Sequence, residues 1–263
     1  MKRTPNRVVS SSNKETKRRR LIFDIETCPN VGLFWRSGHE ISVSHVNITE
    51  ERRIVCICYK WVGDKKVSYL TWDANKDDKR MLERFLKVLD KADEAIAHNG
   101  DRFDIRWIRG RCLKHGLPMP PRIATIDTFK EANKFDLNSR SLAYIANFLG
   151  LTKKTKNLTM PEYEELMHGK RNRSRTLLKQ MVKYCQNDVV VLEEIFHKLN
   201  PYNVPKTSIA LTTRECPECG SNHVVVNRYT KTAAGYKKVT FRCVDCGKYH
   251  TTARSRFENE KSL

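Results

Sequence analysis

Asp24 and Glu26 stand two apart in residues 21–30, LIFDIETCPN, a stretch whose first residues are apolar enough for a buried strand. Side chains alternate faces along a strand, so the two carboxylates point the same way, with Phe23 and Ile25 on the other side. At ~4 Å and an effective dielectric of about 20, two such charges repel by roughly 4 kcal/mol. They must be protonated, paired with Arg or Lys, or bound to a cation, and hard divalent ions such as Mg²⁺ take carboxylate oxygens readily. Asp104, in HNGDRFDIRWI, opens a predicted helix, where an Asp ordinarily serves as a cap or dipole partner. Tyr184 and Asp188, in YCQNDVVVLEEIFHKL, are four residues apart and share one side of a helix. They fall at the edge of an apolar stripe of Leu178, Met181, Cys185, Val189, Leu192, Phe196 and Leu199. From that edge a side chain can reach a cleft without being sealed in the core.

A second chemistry is written in cysteine. Cys216 and Cys219 (CPECG) and Cys243 and Cys246 (CVDCG) are two identical knuckle patterns separated by 23 residues. Four thiolates suit tetrahedral Zn²⁺, and a fully cysteine-ligated ion leaves no position open for water, so the site reads as structural. The segment looks like a zinc ribbon, too small to fold without its metal. Between the pairs, Arg228, Lys231, Lys237, Lys238 and Arg242 alternate with Tyr229, Tyr236 and Phe241. Basic and aromatic residues on a β ribbon suit nucleic-acid backbones and bases; a protein contact is the alternative. The other five cysteines, Cys28, Cys56, Cys58, Cys112 and Cys185, lie in apolar sequence, which fits a reducing compartment better than a disulfide scaffold.

The elements that must position these groups read as α/β. Strands are predicted at 21–26, 52–62, 66–72, 94–99 and 122–129, the second and third forming a hairpin across Gly63 and Asp64. Helices are predicted at 77–93, 103–116, 141–149 and 174–199. In the first helix, Met81, Leu82, Phe85, Leu86, Val88 and Leu89 make one apolar stripe. Three strands followed by alternating helices and strands imply a mixed sheet with helices packed on it. The stretch 30–51 carries Phe34, Trp35 and His45 close to the acidic edge; core filling is expected of the aromatics, with base stacking as the alternative. Residues 1–20 read as a basic flexible arm, 21–200 as the α/β domain, 201–210 as a linker and 211–263 as the ribbon.

The formal net charge of the 263 residues is +20. Residues 1–20 hold eight Lys or Arg against Glu15, and from Lys206 onward there are eleven against five acids. A surplus spread over every segment points to a polyanion partner, most simply nucleic acid. No run has transmembrane length and no apolar leader follows the start, so no membrane partner is expected and a cytoplasmic protein is, in a prokaryotic or phage-infected cell.

Taken together, FDIETxP, HNGxxFD and YxxxD on a late helix resemble the DnaQ-like 3′–5′ exonucleases of the ribonuclease H-like superfamily, in particular the DEDDy subgroup with its tyrosine before the last aspartate. The resemblance spans about residues 20–199 and implies a ribonuclease H-like mixed five-stranded sheet flanked by helices. It makes Asp24, Glu26, Asp104 and Asp188 ligands of two Mg²⁺ or Mn²⁺ ions and Tyr184 the residue that orients and helps deprotonate the attacking water; since a free tyrosine titrates at about 10, orienting is the role expected of it unaided. It implies hydrolysis from the 3′ end, with DNA the favoured substrate over RNA and a separate polymerase or a replication or repair protein as partner. Asn99 falls where the terminal nucleotide would lie, or makes a strand-end hydrogen bond. Asp127 is read as structural, and Cys28 has no base that would make it a nucleophile. A silent nucleic-acid-binding adaptor and a structure-selective endonuclease are the competing readings.

Overall fold

The computed structural model describes residues 18–36, 38, 42–119, 122–151 and 156–259, so most of the basic arm lies outside the described residues. They form two compact units: Arg19–Asn203, and Arg18 together with 204–259.

The larger unit is built on β1 (Arg20–Thr27). After the short antiparallel pair β2 (Val31–Gly32) and β3 (Ile48–Glu50) come β4 (Ile54–Trp61), β5 (Ser68–Thr71), β6 (Glu94–Ala97) and β7 (Thr125–Asp127). The sheet order is β5-β4-β1-β6-β7. β1 pairs antiparallel with β4 and parallel with β6, so the sheet is mixed as expected, with β1 at its centre.

Both faces of the sheet are covered, because β1 and β4 are apolar on both sides. Leu21, Phe23 and Ile25 face α1 (Lys79–Leu89) and α2 (Asp104–His115), packing on Met81, Leu82, Phe85, Ile105 and Ile108. Ile22, Val55, Cys56 and Cys58 face α6 (Arg171–Leu199), where Met181, Cys185, Val189, Leu192 and Phe196 are buried. On α6, Leu177 is buried and Leu178 only half-buried, so the stripe starts one residue earlier than the sequence suggests. The strand expected at 122–129 is shorter, because the Asp127 side chain accepts from Phe129 N–H and caps α3 (Thr128–Glu131). α4 (Leu142–Phe148) is where the pattern puts it, whereas α5 (Met160–His168) is an addition, opened by a capping box between Thr159 and Glu162. Phe34, Trp35 and His45 are exposed, which corrects the expectation that those aromatics fill the core. The β2–β3 pair beside them presents no buried face against which they could pack.

Asp78 fixes the approach of α2. Its carboxylate is wholly buried and takes a bidentate grip from Arg111 (2.7 and 2.8 Å), one bond with His115 (2.7 Å) and one from the Ile54 N–H (3.0 Å). Burial opposes its charge, but Arg111, the Ile54 N–H and His115 together hold it below the usual carboxylate range. One side chain thus ties the start of β4 and the start of α1 to the last turns of α2. Removing one partner of such a set strands the other charges in low dielectric. Asp78→Ala is therefore expected to lower the urea-unfolding free energy by about 3–5 kcal/mol.

The smaller unit contains an antiparallel sheet of β8 (Val224–Lys231), β9 (Lys237–Cys243) and β10 (Tyr249–Ala253), followed by α7 (Arg254–Asn259). Its apolar cluster is small: Val239, Phe241 and Phe257, with Val224 against them. A core of this size needs a further cross-link to be stable.

Candidate active site

The acids meet at one end of the sheet. β1 delivers Asp24 and Glu26 to the α6 side, next to Cys58 and Cys56 of β4 respectively. Both remain half-open to solvent. Asp104, in the first turn of α2, is buried and its Oδ1 accepts from the Ile25 N–H at 3.2 Å, which seats its carboxyl against the residue between the pair. From α6, Tyr184 and Asp188 approach together, close enough for each to shift the proton affinity of the other. Cys185, between them in sequence, donates to the Asp24 carbonyl at 3.4 Å. Asp24, Glu26 and Cys185 form a close group, with one ligand atom of each within 4.8 Å of the others; Asp104 and Asp188 are not part of it.

The electrostatics record this crowding. Burial, then the neighbouring Cys185, Asp104, Glu26 and Asp188, pushes Asp24 well above the ordinary carboxylate range. Burial together with Cys185, Asp188 and Asp104 pushes Glu26 up to about 9. Asp104 rises to about 7, again mainly by burial, against the pull of its backbone hydrogen bonds. Asp188 rises to about 6 by burial, moderated by bonds from Tyr184 and Asn187. Tyr184 is raised by burial, by Asp188 and by Glu26, so its hydroxyl keeps its proton. Each of the four carboxylates is therefore held toward its neutral form by its surroundings, and a cation among them would reverse this. The donors are oxygen-rich and partly open, which fits a hard divalent ion.

Two groups beside the acids have no sequence signal. Tyr163 of α5 is half-buried and pushed up to about 12 by burial and by Glu26. Cys185 reads in sequence as an ordinary stripe residue, and only the packing of α6 on β1 reveals its contact with Asp24. Asn99 adopts a left-handed φ of 57° and its backbone N–H bonds Asp127 Oδ1 at 2.8 Å. Asp127, which also accepts from Phe129 N–H at 3.1 Å, is buried and occupied with the backbone.

In the smaller unit the four cysteines converge. Cys216 and Cys246 sulfurs are 3.5 Å apart, Cys219 and Cys243 sulfurs 3.7 Å, and all four lie within 4.8 Å of one another. Four sulfurs around a tetrahedral ion at ~2.3 Å stand about 3.8 Å apart, so the set fits Zn²⁺. The two knuckles have matched backbones. Gly220 and Gly247 both take φ 73°, and their N–H groups bond the carbonyls of Cys216 and Cys243 at 2.8 and 3.1 Å. Arg228, Tyr229, Lys237 and Lys238 are all exposed on β8 and β9. The Arg254 guanidinium lies 5.1 Å from the Tyr229 ring centre and covers one of its faces.

Comparison with known proteins agrees with the topology. Residues 21–200 match the RNase_H superfamily, and the chain belongs to that superfamily. It is 32% identical over 99 residues to a DNA polymerase of Thermococcus sp. (strain 9oN-7), a match covering 37% of this chain and 12% of the polymerase. A DNA polymerase of Pyrococcus glycovorans is 31% identical over 102 residues, 38% of this chain and 12% of that protein. The chain thus spans a small part of the length of these relatives. The family B DNA polymerase from the hyperthermophilic archaeon Pyrobaculum calidifontis shares the fold, with a TM-score of 0.53 and 18% identity over 70% of this chain and 25% of that one. Among the described residues no helix is long and apolar enough to cross a membrane.

The raised carboxylates fix the sign of a pH effect. Between the unfolded carboxylate pKa near 4 and the folded values of about 6 to 9, the native state holds more protons than the unfolded chain. Stability in chelator therefore falls as pH rises across that window. Asp24→Asn removes one of the repelling charges. In EDTA at pH 8 its melting temperature is expected to exceed that of the wild type, and the difference to shrink at pH 5.

Proposed function

We propose that this protein is a metal-dependent 3′–5′ exonuclease that hydrolyses phosphodiester bonds from the 3′ end of nucleic acid, DNA preferentially. The observation that carries this reading is the gathering of Asp24, Glu26, Asp104 and Asp188, from three separate elements, near enough for the other three to act on Asp24, with each held toward its neutral form. Membership of the RNase_H superfamily supports nuclease chemistry, and relatives that are DNA polymerases support DNA as substrate and a separate polymerase or repair protein as partner. The 3′–5′ direction rests on the order of the three acidic motifs and the tyrosine before the last of them.

In this reading the four carboxylates hold two Mg²⁺ or Mn²⁺ ions, whose chemistry when bound is to activate a water and stabilise the leaving 3′-oxygen. Tyr184 is not the base, because its surroundings keep it protonated. Held beside Asp188 and protonated, its phenolic oxygen can accept from the attacking water and turn a water lone pair toward phosphorus. Asp104, anchored on the Ile25 N–H, holds its carboxyl in place before substrate arrives. The ribbon binds one structural Zn²⁺ through Cys216, Cys219, Cys243 and Cys246 and presents Arg228, Tyr229, Lys237 and Lys238 to nucleic acid.

The test is incubation of a 5′-labelled single strand with Mg²⁺ or Mn²⁺. A ladder shortening from the 3′ end, absent in EDTA and in Asp24→Asn, is expected. Binding without cleavage would instead make the protein an adaptor, and internal cuts an endonuclease. Tyr184→Phe is expected to lower turnover by about tenfold to a hundredfold, the scale of a misplaced reacting group. For the ribbon, metal analysis is expected to give one zinc per chain, and Cys243→Ser to lose it.

A further inference from the structure

The helix that brings Asp104 to the acids carries a second feature on its outer side. A groove of about 610 Å³ lies along α2, and four cations line it: Arg52, Arg102, Arg106 and Lys114. None of the four is paired with a carboxylate among the described residues, and Glu51 is the one acid in the lining. Arg111 also borders the groove, but its guanidinium is committed to Asp78. Unpaired like charges held side by side repel one another, and a polyanion relieves that repulsion.

The groove also has flat apolar surface. Arg52 lies over the Trp107 ring at 4.5 Å from its centre. A guanidinium stacked in this way keeps its N–H edge free for a phosphate. Phe103, 39% exposed, stands beside Trp107 with ring centres 6.0 Å apart, at the end of the groove next to Asp104. Between Trp107 and Lys114 the floor is Gly110. A Cβ built there would meet nothing within 4 Å, so no packing demands glycine. An exposed glycine inside a helix costs about 1 kcal/mol relative to alanine. The sequence thus carries a residue that weakens α2 and leaves that part of the groove lining without a side chain.

We infer that this groove holds the single strand of nucleic acid that leads into the acid cluster, its phosphates on Arg52, Arg102, Arg106 and Lys114, a base against Phe103 and the chain passing over Gly110. The inference rests on the nuclease reading for its direction, since Phe103 is adjacent to Asp104. From Phe103 to Lys114 the helix runs roughly 17 Å, the length of about five nucleotides stacked at 3.4 Å. Discrimination among bases is not expected, because the contacts are phosphates and one aromatic face.

The test uses the full chain carrying Asp24→Asn, a fluorescein-labelled dT12, and anisotropy titrations across a NaCl series. Each phosphate contact on a single strand contributes about −0.7 to the slope of log affinity against log salt. Adding Arg102→Ala, Arg106→Ala and Lys114→Ala is expected to flatten that slope by about 2 and to weaken binding at 50 mM NaCl by tenfold or more. Gly110→Tyr, which meets open space, is expected to weaken binding while the melting temperature holds, whereas Gly110→Ala raises the melting temperature. Unchanged slope and affinity in the triple variant, or wild-type affinity in Gly110→Tyr, overturns the groove. The exonuclease reading is scored separately, by shortening of dT12 with the acids intact. Shortening with no groove effect leaves the nuclease and removes the groove. A groove effect with no shortening leaves a nucleic-acid surface and removes the nuclease.

Discussion

Like charges gathered at the end of a buried strand are the constraint on which the larger unit is organised. β1 is central in the sheet, covered on both faces, and still ends in two carboxylates that share a side. Nothing local to β1 relieves them. The Ile25 N–H does not serve either one; it holds a third carboxylate, Asp104, against the strand. Keeping α2 and α6 pressed onto this spot is the work of the remaining framework. Asp78 clamps the far end of α2 through Arg111 and His115. On the opposite face, Lys60 of β4 forms a salt bridge with Glu193 of α6, which also accepts from the Gly63 N–H at 2.7 Å. These are buried or half-buried pairs, so their value lies in fixing one register more than in net stability.

The parts legible in the sequence are those governed by short periods. The two-residue repeat of a strand puts Asp24 and Glu26 on one side, and the four-residue helical spacing puts Tyr184 beside Asp188. Both hold in the fold, as does the run of apolar residues that buries Met81, Leu82, Phe85 and Leu89. What was not legible depends on contacts between distant segments. Tyr163 reaches Glu26 only because α5 packs on α6, and α5 buries just Leu166 and Met167, too few to mark a stripe. Trp35 and Phe34 are misread as core because hydrophobicity does not say whether a partner surface exists. The end of β7 was missed because the capping role of Asp127 competes with continued strand, and local hydrogen bonding decides it.

The two clusters of ligand-type residues differ in the way their side chains are held. In the smaller unit, each pair of sulfur atoms is presented by its own backbone turn, at Gly220 and Gly247, and the β8–β9 pairing brings the two turns together. In the larger unit each acid comes from an element whose own position depends on a whole hydrophobic face. The first arrangement suits a closed structural ion and the second an open site that must accept water and substrate. The same division applies to charge: exposed Lys237 and Lys238 sit on a ribbon whose apolar cluster is small, and Arg102 and Arg106 flank a helix anchored deep in the larger core.

Beside the acid pair, Cys56, Cys58 and Cys185 bring their sulfurs within 4.8 Å of one another, and one ligand atom each of Cys185, Asp24 and Glu26 also lie within 4.8 Å of one another. Hard oxygen donors and soft sulfur donors therefore stand side by side. For an ion held there, going from manganese to cadmium would change more than radius, because a thiophilic ion finds polarisable donors beside the oxygens. Under the proposed nuclease reading, activity measured with different metals reports on both donor types at once, and replacing Cys185 with serine separates them.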